Sequence, residues 1–170
     1  YIGCVIDVHE RKIAQEKLQT SESRLRLAAE TTGFGSYDLD MQTNETVWSN
    51  EIFRIFGVDI GERFTRSDMF LQVHQDDRSG YSKLYQDLLQ VNAPEKFAFE
   101  HRIVRKSGEI RWVCNSGRVV FAPDAGRRQP IRVIGTIFDI TDRKIFEQTL
   151  ERAKQLAEEA NRSRGEFLAN

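Results

Sequence analysis

Residues 131–140 read IRVIGTIFDI, apolar on both alternating faces. Ile131, Val133 and Ile137 fall on one side, and Ile134, Phe138 and Ile140 on the other. A strand lying on one core alternates apolar with polar, whereas a run apolar on both faces belongs in the middle of a sheet, covered on both sides. No Pro or Gly separates this run from the helical pattern that begins after Thr141. Whatever fold holds the strand must therefore hand the chain straight from its centre to a helix.

The 170 residues suffice for one domain with extra segments, and a hydrophobic content of 39% supports a packed core. Basic and acidic residues nearly cancel at net −1, which argues against nucleic acid as a partner. No apolar run is long enough to span a bilayer, so no direct membrane contact is expected. Cys4 and Cys114 give neither a disulfide framework nor a metal spacing, and a reducing, cytoplasmic setting follows as the expectation. The chain opens on an apolar run without Met, which predicts a segment of a longer protein.

Residues 1–8 are apolar and β-branched and predict a strand. Residues 10–32 contain neither Pro nor Gly, and Ala14, Leu18, Ser21, Leu25 and Ala28 recur at spacings of 4, 3, 4 and 3, the narrow seam of a coiled-coil-type helix. Two short strands follow at Phe34–Asp40 and Thr46–Trp48, then a helix capped by Asn50 and stopped by Gly57. Met69–Val73 reads as an apolar turn. HQDDRSGYSKLYQDLL predicts a helix with Asp76 or Asp77 as its cap and Tyr81, Leu84, Tyr85 and Leu88 on one face. Phe97–Arg105 and Ile110–Phe121 form a hairpin through KSGE, and APDAGRRQP is a second loop. After Thr141, Phe146, Thr149, Ala153, Leu156, Ala160, Ser163 and Phe167 keep a seven-residue rhythm. A seam so thin gains little alone and calls for a partner helix, most simply in a parallel homodimer.

GFGSYDLD, VWSNEIFRIFGV, VHQDDR, EHRIVRKSGEIRWV and VIGTIFDITDRK, taken in this order, resemble a PAS domain with its PAC-type C-terminal motif. Gln75 stands where that family has proline, and His101 where an aromatic is common. The resemblance covers residues 33–141. It implies an α+β PAS fold, a five-stranded antiparallel sheet with helices on one face, flanked by N- and C-terminal coiled-coil-type helices. GCVIDVHERK near the start resembles the exit of a preceding PAS domain, which implies a tandem array: residues 1–9 the last strand and exit of that domain, and 10–32 the connecting signalling helix. SRGEFLAN resembles the entry to a histidine-kinase dimerisation helix, in which Phe-Leu-Ala-Asn precedes Met-Ser-His-Glu and the phospho-acceptor His. Residues 142–165 are then a C-terminal signalling helix, and 166–170 the start of the phospho-acceptor helix. By this resemblance the phospho-acceptor His is expected just beyond Asn170.

His74, Asp76 and Asp77 read as a helix cap rather than a metal or acid–base cluster. Cys114 lies mid-strand rather than in the helical segment of flavin-reactive relatives, and reads as a small core residue. The helix carries no haem-ligating His. No cofactor is therefore expected, and the ligand, if any, is not named by the sequence. Trp48, Phe53, Phe56, Tyr85 and Trp112 are candidate pocket-lining residues, although aromatics on inward faces are more often plain core. If the last two strands are antiparallel neighbours, Asp139 comes beside the hairpin carrying Arg105 and Lys106, either as a signal-coupling contact or as an ordinary surface pair, while Thr141 caps the exit helix.

The function implied is that of a bacterial-type, two-component sensor module. It relays a signal through a coiled coil to the dimerisation helix of a histidine kinase and on to a response regulator. No catalysis is expected within residues 1–170, while the parent is expected to be an ATP-dependent protein-histidine kinase. The alternative is a ligand-free PAS dimerisation module feeding another output domain, such as a nucleotide cyclase.

Overall fold

The computed structural model describes residues 2–90, 92–122 and 128–168, with backbone alone at 2–9, 22, 25, 26, 29, 30 and 163–168. The elements in chain order are α1 (Ile2–Thr32), β1 (Gly35–Asp40), β2 (Thr46–Trp48), α2 (Asn50–Phe56), α3 (Arg66–Gln72), a single 3-10 turn (Gln75–Asp77), α4 (Arg78–Leu88), β3 (Lys96–Val104), β4 (Ile110–Phe121), β5 (Pro130–Asp139) and α5 (Thr141–Leu168). All neighbouring strands are antiparallel, in the order β2-β1-β5-β4-β3. The expected five-stranded sheet is present, and IRVIGTIFDI is its middle strand.

The core fills one face of that sheet. Ile52, Ile55 and Phe56 of α2, Met69 of α3 and Tyr81 of α4 pack with Val73 against Ile103, Val113 and Ile137, and Leu39, Leu88, Val119 and Val133 form a second cluster beside them. The opposite face of β5 is not covered among the described residues: Ile134 is 45% and Phe138 37% exposed, although the Phe138 ring meets that of Phe34 at 5.5 Å. The central position thus follows from the sequence, whereas the cover expected on both sides does not. Alternation also places Trp112 and Cys114 on this outer face, since Val113 and Asn115 point inward. Cys114 is half-buried there, not in the core.

Residues 2–9 are the start of α1 rather than a strand. An extended segment must pair its backbone with a neighbouring strand, and among the described residues none lies beside it. A helix satisfies those groups internally. Met69–Val73 likewise is no turn. Thr65 and Asp68 make a capping box that starts α3 three residues earlier, at Arg66, with the Thr65 N–H donating to Asp68 Oδ2 at 2.8 Å. Asn50 is the first residue of α2 and Ser49 holds the cap position, its hydroxyl engaged by the Ser36 N–H at 3.0 Å. Gly57 does end that helix, in the left-handed conformation (φ 65°) that glycine adopts without strain. The APDAGRRQP loop lies largely outside the described residues, and so does Asn170 at the other limit of the chain.

Candidate functional site

Five residues face the helices in one row across the sheet: Trp48, Tyr37, Gly135, Gly117 and Phe97. Gly135 and Gly117, adjacent in this row, carry no side chain, so the row is a trough with aromatic walls. Tyr37 lies across Gly135 and reaches the next strand, where its hydroxyl donates to Asn115 Oδ1 at 2.9 Å. Phe97 lies across Gly117 from the other edge. Burial pushes the Tyr37 phenol well above its ordinary range and Tyr81 up to about 12, so both stay protonated donors at neutral pH.

Over this trough α3 and α4 leave a cavity of about 40 Å³. Apolar side chains, including Leu39, Met69, Leu88 and Val133, make most of its wall, and Asn115 and Arg66 supply polar groups. Such a volume accommodates about three water molecules. Of the aromatic residues singled out in the sequence, Trp48 and Tyr85 line it. Phe53 and Phe56 instead pack on Phe64, at 6.1 and 5.4 Å between ring centroids. Trp112 is on the far side of the sheet, between Arg102 and the Lys144 ammonium, which lie 5.5 and 5.2 Å from its ring centroid.

The second feature is the exit from β5. Val113 pairs with Asp139, so Asp139 faces the interior of β4 rather than the hairpin tip. Arg111 approaches it at 3.4 Å. Arg105 and Lys106 lie farther out and are engaged elsewhere. Arg105 donates to the Ile55 and Arg54 carbonyls at 2.9 and 3.1 Å, closing the end of α2, and Lys106 pairs with Glu62 at 2.6 Å. At about 3.4 Å per residue, the steps from Val113 back to Arg105 put the tip out of reach.

Thr141 and Asp139 also exchange the roles expected of them. Asp139 Oδ1 accepts the Thr141 N–H at 2.9 Å and the Thr141 hydroxyl at 2.5 Å, so Asp139 caps α5. The Thr141 hydroxyl in turn accepts the Trp112 N–H at 2.9 Å, and the Ile140 N–H donates to the Trp112 carbonyl at 2.8 Å. The first turn of α5 is thus bonded to β4 on both sides of Trp112. Glu100 of β3 adds Arg143 at 2.6 Å and Lys144 at 2.7 Å, and these cations hold its carboxyl below the usual range.

Asp77 occupies the cap position of α4 but makes no capping bond. Its carboxylate takes the Arg102 N–H at 2.7 Å and the guanidinium at 2.6 and 3.0 Å, and Arg102 holds it below its ordinary range. Together with the His74 N–H, which donates to the Arg102 carbonyl at 2.9 Å, it covers the open edge of β3. Asp76 reaches Arg102 only at 3.4 Å. Among the described residues no three His, Cys, Asp or Glu side chains come together as metal ligands would.

Along α5, Phe146, Thr149, Ala153, Leu156 and Ala160 are all exposed, Phe146 and Leu156 by about two thirds. Ile145 and Leu150 add to this apolar stripe. Ser163 and Phe167 lie outside the residues whose side chains are described, as does SRGEFLAN as a whole. The phospho-acceptor His expected just beyond Asn170 falls past the last described residue, Leu168, so the structure places nothing at that position. No described helix is long and apolar enough to cross a membrane.

Sequence reasoning misses Tyr37, Arg66, Asn115, Glu100, Arg111 and Lys144. Gly117 and Gly135 are the available signal, since a glycine in each of two adjacent strands marks a close approach by something else.

A family model described as PAS fold matches residues 45–137, more than half the chain. A blue-light-activated histidine kinase of Brucella anthropi is 25% identical over 84% of the chain and 28% of its own length. A probable diguanylate cyclase of Escherichia coli, DgcE, is 25% identical over 91% of the chain and 14% of its own length. The chain therefore spans under a third of these relatives. Among solved structures, a sensory box histidine kinase/response regulator from Burkholderia thailandensis superposes with a TM-score of 0.64 at 24% identity, over 80% of this chain and 98% of that one. The N-terminal domain of a diguanylate cyclase with a PAS/PAC sensor from Marinobacter aquaeolei does so with 0.57 at 16% identity, over 65% and 98%. At these identities the structural likeness speaks to the fold.

Proposed function

This chain belongs to the PAS fold family, and from that premise we propose that it is the signal-transmitting module of a cytoplasmic two-component sensor histidine kinase. PAS sensory domains occur both in histidine kinases and in diguanylate cyclases among its relatives. The observation that carries the kinase reading's mechanism is the exit of β5. A single residue, Ile140, separates the middle strand from α5, and the Asp139–Thr141–Trp112 bonds leave no slack between them. A shift of the sheet is then a shift of the helix. Coupling of this kind amounts to about 1–3 kcal/mol, enough to alter an output several-fold.

In this reading residues 1–170 perform no catalysis, and the parent is an ATP-dependent protein-histidine kinase whose phosphate passes to a response regulator. SRGEFLAN, with its resemblance to the phospho-acceptor helix, supports it. The module is read as carrying no flavin or haem, since Cys114 lies mid-strand and α4 holds no His, and a visible absorption band in the purified protein would refute it.

The test uses the full-length protein. Thr141→Val removes the acceptor of the Trp112 N–H and one donor to Asp139, at a cost of about 1 kcal/mol. It is expected to lower the PAS core's melting by only about 5 °C, with the core still folded, and to alter the rate of histidine autophosphorylation several-fold. An unchanged rate, or no acid-labile phosphate on any histidine of the unaltered protein, sinks the reading. The diguanylate cyclase relative favours a second output for the same mechanics, and cyclic di-GMP synthesis by the full-length protein would select it.

The exposed stripe on α5 supports a parallel homodimer. Light scattering of the 170-residue chain is expected to give twice the monomer mass at tens of micromolar, and Phe146→Glu to halve it. A monomeric unaltered chain with α5 helical would count against the dimer.

A further inference from the structure

Two spaces meet at Arg66. Inward lies the cavity over the glycine trough, and outward lies an open groove of about 430 Å³ between α3 and α4, with Ser67, Phe70 and Gln86 in its walls. Arg66, Tyr81 and Tyr85 line both spaces and so form the partition between them. Arg66 donates to the Tyr85 hydroxyl, and its guanidinium carbon lies 4.2 Å from that ring's centroid. Among the described residues no carboxylate pairs with it. A half-buried guanidinium set against aromatic rings without a counter-ion attracts an anion, and its planar fork matches a carboxylate with two parallel bonds.

The other end of the cavity is also polar and also incomplete. Asn115 is only 6% exposed. Its Oδ1 takes the Tyr37 hydroxyl, which turns the amide nitrogen the other way, and that nitrogen has no acceptor among the described residues. That nitrogen is thus open to an oxygen acceptor that a ligand would supply. Between the two ends the wall is apolar, from Leu39, Met69, Leu84, Leu88 and Val133.

We propose that this cavity binds a small carboxylic acid bearing a second oxygen. The carboxylate pairs with Arg66, a carbonyl or hydroxyl oxygen accepts from Asn115 Nδ2, and a short carbon chain lies between them against the apolar wall. Entry turns the Arg66–Tyr85 pair toward the groove, which joins the two spaces. Asn115 pairs with Ile137 on β5, two residues before Asp139, so the ligand touches the strand that leads into α5. This names the class of signal for the sensory reading above, and it rests on that reading only for the use made of binding.

The test is calorimetric titration of the 170-residue chain with levulinate, beside valerate, which lacks the ketone, and methyl propyl ketone, which lacks the carboxylate. The expected result is saturable one-to-one binding of levulinate, weakened about tenfold or more in both comparators and in Arg66→Gln. Arg66 is half-exposed, so that variant should keep the melting temperature, and Asn115→Leu, if folded, should bind levulinate no better than valerate. No saturable binding of levulinate up to about 10 mM, or equal affinity in Arg66→Gln, overturns the proposal. Binding needs no kinase, so its failure is distinct from an unchanged autophosphorylation rate in Thr141→Val.

Discussion

Gly135→Ala is expected to destabilise the domain by about 1–3 kcal/mol and to break the Tyr37–Asn115 hydrogen bond. A methyl group at Gly135 would sit 2.5 Å from the Tyr37 ring and its hydroxyl oxygen. The ring cannot retreat along the sheet, because it crosses β5 to bond Asn115 on β4 and packs on Trp48 at 5.9 Å between centroids. It can move only upward, into the small cavity that α3 and α4 close. Chemical denaturation followed by the tryptophans measures the loss. The argument also predicts a rescue: in Tyr37→Leu the ring is gone, and adding Gly135→Ala should cost little further. The two changes should therefore couple strongly in a double-mutant cycle. If Gly135→Ala melts like the unaltered protein, or if its cost persists without Tyr37, the ring is not what requires the glycine.

That trough explains what can and cannot be read from the chain alone. The succession of strands along the chain, the middle place of IRVIGTIFDI and the stop at Gly57 are local or periodic signals, and alternation or a single residue type carries them. The cavity is not local. It depends on Tyr37, Gly135, Gly117 and Phe97 falling in one row, which is fixed by the register of four strands and by no stretch of sequence. The same holds for Asp139. Its closeness to an arginine is foreseeable, but register selects Arg111 and frees Arg105 to close α2. Sequence alone turns Trp112 inward, as pocket wall or plain core, although Val113 beside it takes the inward face. Its real setting is visible only in three dimensions, where Arg102 flanks it from β3 and Lys144 from α5. Propensity makes residues 2–9 a strand, and a strand without a neighbour loses to a helix.

Acidification is expected to destabilise this domain through His101. The imidazole is 1% exposed, its ring stacks on Phe99 at 5.4 Å and meets the Tyr81 ring edge-on at 5.1 Å, and neither nitrogen has a hydrogen-bond partner. Burial pulls its pKa down to about 4, against the opposing charge of Asp77. In the unfolded chain a histidine titrates near about 6.5. Between those values the unfolded state binds the proton and the folded state does not, so stability rises with pH across that window. The contribution is fully present above about pH 6.5 and is lost as pH falls toward about 4, amounting at most to about 3 kcal/mol. Asp77, Glu100 and Glu109 have lowered carboxyl pKa values, so their contributions are lost only at still lower pH, and the upper part of the window reports on His101. Urea denaturation at several pH values between 7 and about 4.5 should show the decline, and His101→Phe should flatten it while keeping the stacked ring. Equal slopes in the two proteins would mean that the folded domain admits a charged imidazole at this position, and that the aromatic cage opens to water before the fold gives way.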